Sequence, residues 1–211
     1  MNADRLQRTV ADLERTVRAI ATEFETDTVF VIGSQAILLG WPDAPPVLKA
    51  SPEIDAFPEN AKLWEIREAA RHPGEKPEAS EHINALFGEG SLFHKTHGFF
   101  IDGVDDTTAK LPADWRNRAI VRKVQVADRA VTAIAPAPED IVVSKLARLD
   151  EKDRDFIEAF HAARPLDADV IEKRIRTSGL APEVEARAVD YLRELIRGHG
   201  HDDGGDGAAG G

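Results

Sequence analysis

Glu53 and Asp55, one residue apart in the segment SPEIDAF, are the side chains in this sequence best spaced to do chemistry together. If that segment is extended, residues i and i+2 project from one face, about 7 Å apart at the backbone. Carboxylates held that way can share one or two Mg²⁺ (or Mn²⁺) ions, which take hard oxygen ligands and leave positions open for phosphates. Such ions neutralise charge that builds up during in-line attack at phosphorus and can activate an attacking hydroxyl. Upstream, the apolar run Val29 to Ile32 stops at Gly33-Ser34. A strand that enters a helix through glycine leaves backbone N–H groups at the helix start, where they and the helix dipole attract phosphate. Glycine lets the backbone approach a ligand closely, and the serine can cap the helix or bond a phosphate oxygen. Taken singly, each feature also fits a plainer reading. One is a strand-to-helix turn with an N-cap serine; the other is an edge strand with Ile54 and Ala56 inward and solvated carboxylates.

Bringing these groups together requires strands on both sides of a turn, and the hydropathy pattern supplies them. Leu6, Val10, Leu13, Val17, Ile20 and Phe24 recur at helical spacing and predict an amphipathic helix over 3–24. Residues 28–32 read as a buried strand, and 35–39 as a helix broken by the Gly- and Pro-rich segment 40–46. Residues 47–57 read as extended, with Pro52 placing the strand near an edge or making it start late. Helices are predicted over 62–71 and 80–87, a strand over 98–104, and further strands over 119–126 and 130–134. From Pro138 the pattern is helical, over 138–149, 151–163, 167–177 and 182–197. The fold class is thus α/β (α+β): a mixed-sheet core over 1–137, a helical C-terminal domain over 138–197 and a disordered tail over 198–211.

With 211 residues, 42% of them hydrophobic, the chain can bury a core as one medium domain, alone or with a helical appendage. The absence of cysteine excludes disulfides and thiolate metal sites and agrees with a reducing, cytoplasmic setting. No apolar run approaches the roughly 18 residues of a membrane span. A net charge of −11 argues against a broad nucleic-acid-coating surface. The best local basic patch is RNRAIVRK, with Arg116, Arg118, Arg122 and Lys123, which suits either an RNA backbone or a charged edge strand. His94 and His97 (HKTH) lack an adjacent acid to complete a metal site, and His199 and His201 fall at the tail. No Ser-His-Asp order, P-loop or dinucleotide-binding fingerprint is present.

In sequence order, VFVIGSQAILLG followed by SPEIDAF gives an apolar strand, Gly-Ser, a helix, then acid-x-acid in a second strand. That order resembles the core of the nucleotidyltransferase superfamily related to DNA polymerase β. More narrowly, it is similar to the compact AbiEii-type toxins of bacterial toxin–antitoxin pairs. The resemblance implies Mg²⁺-dependent transfer of a nucleoside monophosphate from a nucleoside triphosphate to an acceptor such as an RNA end or tRNA, with a cognate antitoxin as partner. A protein acceptor, or a catalytically weak nucleotide- or partner-binding module, are the alternatives. By the same resemblance Glu53 and Asp55 hold the metal, and a third carboxylate comes from a later strand. Asp102 in GFFIDGV is the candidate, with Asp105 and Asp106 competing. Gly33 and Ser34 bind the nucleotide. In PEDIVVSKLARLDEKDRDFIEAF, Lys145 matches the residue that holds nucleotide phosphates, and Lys152-Asp153 matches a basic-acidic pair, Lys152 binding nucleotide and Asp153 assisting catalysis. If Pro138 to Phe156 form one helix, Lys145, Arg148 and Lys152 share a stripe.

Overall fold

The computed structural model describes residues 7–199. Its first helix, α1 (Val10–Glu23), starts at a reciprocal cap. Thr9 Oγ1 accepts from the Asp12 N–H at 3.2 Å, and the Asp12 carboxylate accepts from the Thr9 N–H at 3.0 Å. Two donors that a helix start leaves open are satisfied this way. The helix is therefore shorter than its apolar stripe suggests. Gln7 bridges antiparallel to Ala50, and the Arg8 N–H donates to the Lys49 carbonyl at 2.9 Å, so the chain enters extended. Residues 3–6 of the expected helix lie outside the described residues.

Among the described residues, the strands β1 (Thr28–Ile32), β2 (Glu53–Pro58), β3 (Phe100–Gly103), β4 (Ile120–Val126) and β5 (Arg129–Ala135) form one sheet in the order β3-β2-β1-β5-β4. β1 runs antiparallel to β2 and parallel to β5, β2 runs parallel to β3, and β4 with β5 makes a hairpin. β2 is thus an interior strand rather than an edge. Pro52 stands just before it, where its missing N–H falls outside the ladder.

The β1–β2 connection contains a 3₁₀ turn (Ser34–Ala36), the four-residue α2 (Ile37–Gly40) and a second 3₁₀ turn (Pro46–Lys49) where extended chain was expected. Between β2 and β3 lie α3 (Ala61–Arg71), α4 (Ala79–Phe87) and α5 (Leu92–His97). α5 is absent from the hydropathy reading because six residues are too few to show a period. Its ends carry it: Ser91 accepts from the His94 N–H, and Gly98 closes the helix at φ +74°. The C-terminal helices are α6 (Pro138–Arg148), α7 (Glu151–Ala163), α8 (Ala168–Arg176) and α9 (Pro182–His199). The rest of the predicted tail, with His201, lies outside the described residues. The fold is mixed α+β, as expected, and no described helix is long and apolar enough to cross a membrane.

Strand alternation divides the sheet into two faces. Val29 and Val31 of β1 and Ile54 and Ala56 of β2 enter the main core with Leu13, Val17 and Ile20 of α1. α6 and α7 join the same core through Val142, Leu146, Ile157 and Phe160. Phe30, Ile32 and Phe57 point the other way, into a smaller cluster with Trp115 and Ile134. By the same period-2 rule Glu53 and Asp55 belong to this second face, the one that carries the site.

Candidate active site

Antiparallel pairing sets Ile32 opposite Asp55, which brings the end of β1 against the acidic end of β2. The next residue, Gly33, has φ +67° and ψ −163°. A Cβ on it would stand 1.8 Å from Asp55 Oδ2. Glycine is required twice over, by the positive φ and because the carboxylate occupies the space a side chain would fill. The chain beyond it is a 3₁₀ turn and a four-residue helix, and Ser34 does not cap it with its side chain. So short a helix has little dipole, and what the turn offers a ligand is the close backbone and the Ser34 hydroxyl.

Parallel pairing of β2 with β3 places Asp102 opposite Asp55 and Phe100 opposite Glu53. Asp102 therefore stands beside Asp55 on the neighbouring strand. Asp105 is occupied elsewhere, its Oδ1 accepting from the Thr107 N–H at 2.8 Å and from the Thr107 hydroxyl at 2.7 Å. Asp106 lines a different cavity. Glu53, Asp55 and Asp102 all line one cleft of about 210 Å³, together with Gly33, Ser34, Ser144, Lys145 and Arg148.

These three acids repel one another in a poorly hydrated place. Burial, then the charges of Glu53 and Asp102, push the Asp55 carboxyl up to about 7. Burial and the Asp102 charge raise Glu53, and burial raises Asp102. Like charges collected out of water are unstable alone and favour a cation among them. The donors are hard oxygens, the class Mg²⁺ and Mn²⁺ take. Among the described residues, as placed, no group of three His, Cys, Asp or Glu side chains is gathered closely enough to hold a metal ion.

Across the cleft, α6 presents Lys145 and Arg148. The helix ends at Leu149, whose φ of +58° turns the chain, and Asp150 then caps α7 by accepting from the Asp153 N–H at 2.8 Å. Pro138 to Phe156 is thus two helices with a corner between them, and the single stripe of Lys145, Arg148 and Lys152 does not form. The corner instead returns Asp153 to the end of α6. Lys145 Nζ donates to Asp153 Oδ1 at 2.9 Å, and Arg148 donates through Nε and Nη2 to the two carboxylate oxygens, each at 2.9 Å. Asp153 is 1% exposed and Lys145 5%. Burial pushes the Asp153 carboxyl up, but the hydrogen bonds from Arg148 and Lys145 and their charges outweigh it and hold it below the usual range. Asp153 therefore sits behind the cations as their positioning residue. Lys152 lies in an adjoining cavity of about 520 Å³ that shares Ser34, Glu53, Lys145 and Arg148 with the acidic cleft.

Acids on two strands thus face cations on a helix across a glycine turn. Residues 8–197 match the family model described as a nucleotidyltransferase of unknown function (DUF6036). The chain belongs to that family. The match supports the nucleotidyltransferase likeness of the strand, Gly-Ser and acid-x-acid order, and it does not name the AbiEii group. No curated protein and no solved structure matches the chain.

In this DUF6036 chain the basic stretch is spent internally. The Arg116 guanidinium lies 4.8 Å from the Phe30 ring centroid, and Arg118 binds Asp114 and Asp140. Arg122 stands 3.7 Å from Glu14, and Lys123 donates to the Thr132 hydroxyl at 2.6 Å. The histidines of HKTH are likewise engaged, His94 Nδ1 accepting from the Gly90 N–H and His97 packing edge-on against Phe93. Arg148 is the site residue that the sequence reading undervalued. Its spacing from Lys145 is one helical turn, which was signal enough to pair them.

Proposed function

We propose that this protein is a Mg²⁺- or Mn²⁺-dependent nucleotidyltransferase that moves a nucleoside monophosphate from a nucleoside triphosphate to an acceptor hydroxyl and releases pyrophosphate. One observation carries the reading: Asp55 and Asp102, paired across adjacent strands with Glu53 beside them, face Lys145 and Arg148 over Gly33-Ser34. Glu53, Asp55 and Asp102 would hold the metal, which would supply charge neutralisation at the α-phosphoryl group. Lys145 and Arg148 take the outer phosphates, lysine as a point charge and arginine through its planar donors. Lys152 extends the positive lining along the adjoining cavity, and Ser34 with the Gly33 backbone fixes the phosphate chain from the other side. Asp153 holds both cations in place without touching substrate.

An RNA or tRNA acceptor, a toxin role and a cognate antitoxin partner rest on the AbiEii resemblance of the sequence. Labelling separates the acceptors: purified protein is incubated with each α-labelled nucleoside triphosphate, Mg²⁺ or Mn²⁺, and tRNA, cell lysate or small hydroxylated molecules. Metal-dependent label in any product, lost in Glu53→Gln and Asp55→Asn, is the expected result. Absence of label from every acceptor, with nucleotide–metal binding unchanged in those variants, would overturn the reading.

A further inference from the structure

The acidic cleft, about 210 Å³, is too small by itself for a nucleoside triphosphate, since sites for ligands of that size run to roughly 300–1,000 Å³. It joins the 520 Å³ cavity at Ser34, Glu53, Lys145 and Arg148, so a bound nucleotide spans both. The two ends differ in chemistry. Ile141, Ser144, Lys145 and Arg148 of α6 all line the cleft, and Ile141 stands about 10 Å from Arg148 along the helix axis. Beyond Arg148 the lining continues to Lys152. At the Ile141 end it is apolar, with Val104, Ala109, Leu111 and Pro136. The strap that carries Ala109 and Leu111 runs to this end of α6, because Arg118 beyond it binds Asp140 in the first helical turn. The larger cavity offers no equivalent surface to a ring: the face of its Phe156 is covered by the Lys145 ammonium, 4.5 Å from the centroid.

Polar groups at the apolar end are already engaged. The Thr108 hydroxyl donates to Asp105 Oδ1 at 3.2 Å and accepts from the Asp105 N–H at 3.3 Å. The Thr108 N–H donates to the Asp105 carbonyl at 3.3 Å, and the Leu111 N–H to the Ala109 carbonyl at 3.1 Å. Pro136 has no N–H to give. Ser144 carries a hydroxyl, which rotates to donate or accept and so suits any base edge. A site built to hydrogen-bond one substrate rejects its analogues by roughly 10⁴–10⁵, whereas an apolar pocket separates similar shapes by only about 10–200-fold.

We propose that the nucleotide lies along α6 with its base in the apolar end and its outer phosphates toward Lys152, and that the base is held by shape alone, so that all four ribonucleoside triphosphates are accepted; the proposal rests on the nucleotidyltransferase reading above. This order leaves the α-phosphoryl group beside Asp55 and Asp102, between the two ends. Leu111 and Ala109 are then the residues that hold the ring, and Lys152 acts on the phosphates only.

The test uses the full chain, calorimetry with Mg²⁺, and five probes: ATP, GTP, CTP, UTP and inorganic triphosphate. The four nucleotides are expected to bind within about tenfold of one another. Leu111→Ala, at a half-buried position of the strap, is expected to weaken all four to a similar degree, roughly tenfold, and to leave inorganic triphosphate unmoved. Unchanged triphosphate binding also shows that the variant is folded. Ala109→Phe, which fills the apolar end, should repeat this pattern, while Lys152→Met should weaken triphosphate and nucleotides alike. One nucleotide bound more than about tenfold tighter than the rest would overturn the proposal, because its edge would then be read, as by Asp106 and Arg116 in the neighbouring recess of about 80 Å³. Strap variants that weaken triphosphate as much as nucleotides, or that leave nucleotides unmoved, would overturn it too. Failure of the nucleotidyltransferase reading shows separately, as nucleotide–Mg²⁺ binding that survives Glu53→Gln/Asp55→Asn.

Discussion

Asp55 makes a prediction about stability that is independent of any substrate. Its carboxyl is held near 7 in the folded protein, chiefly by burial and then by Glu53 and Asp102. An ordinary aspartate titrates near 4 when unfolded. A group whose folded value lies above its unfolded value stabilises the fold most at low pH, and that contribution is lost as pH rises through the folded value. A shift of about 3 units at 1.36 kcal/mol each sets a ceiling of about 4 kcal/mol. Water reaching a half-buried carboxylate lowers this to about 2 kcal/mol, or roughly 4–8 °C in Tm for a chain of this size. Asp55→Asn keeps the shape and removes the charge. In urea denaturation from pH 4 to 8 without metal, the variant is expected to match wild type near pH 4 and to exceed it by about 2 kcal/mol at pH 8. Mg²⁺ is expected to recover the wild-type loss above pH 7 and to leave the variant unmoved, because a ligand that binds only the folded state stabilises it. A variant less stable than wild type at pH 8, or a stability difference that does not change with pH, would refute the reasoning.

Three further outcomes are expected. Gly33→Ala places a methyl 1.8 Å from Asp55 Oδ2 at a φ of +67°, so it should lose at least about 2 kcal/mol in chemical denaturation and abolish metal-dependent labelling. Lys145→Met should weaken nucleoside triphosphate binding roughly tenfold to a hundredfold by calorimetry, the worth of a charged hydrogen bond to phosphate. Asp140 is fully buried and receives bonds from Arg118 at 3.0 and 3.2 Å and from Arg174 at 3.1 Å, which tie α6 to the approach to β4 and to α8. Asp140→Ala should therefore destabilise by about 1.5–3 kcal/mol in urea, since both arginines lose a charged hydrogen-bond acceptor while keeping Asp114 and Glu139 as partners.

The parts of this molecule legible in its sequence are those where one local pattern decides the outcome. β1 is an unbroken β-branched and aromatic run, α6 announces itself with Pro138 and an acidic first turn, and the spacing of Glu53 and Asp55 fixes their common face. What escaped depends on partners far along the chain. The interior place of β2 comes from β3 adding beside it, which residues 47–57 alone cannot show. The resemblance names Asp102 as the third carboxylate, but its place beside Asp55 comes from the β2–β3 register, which no spacing within GFFIDGV shows. Arg116, Arg118, Arg122 and Lys123 look like a patch in one dimension, yet each meets a different partner in the fold. The α6–α7 boundary is legible, since helices read over 138–149 and 151–163 leave Asp150, which has the chemistry of an N-cap, between them; the return of Asp153 to the end of α6 is not.

That corner also explains how acids and cations can share one cleft without cancelling. Lys145 and Arg148 both pull the Asp55 value down, but burial and then the charges of Glu53 and Asp102 outweigh them, while the two cations give their hydrogen bonds to Asp153. By occupying the two cations, Asp153 leaves the acids without a hydrogen-bonded protein counter-charge and open to a metal. Asp153→Asn tests this. With the competing carboxylate gone, Lys145 and Arg148 are free to lean toward Glu53 and Asp55, and Asp55 should fall back toward the ordinary aspartate range. The stability gain that Asp55→Asn produces at pH 8 should then shrink from about 2 kcal/mol to less than about 1 in a double-mutant cycle. Mg²⁺ affinity should fall as well, because protein cations would already neutralise the acids. If the gain stayed at its wild-type size in the Asp153→Asn background, Asp153 would be a packing residue only, and the separation of charge in this cleft would need another cause.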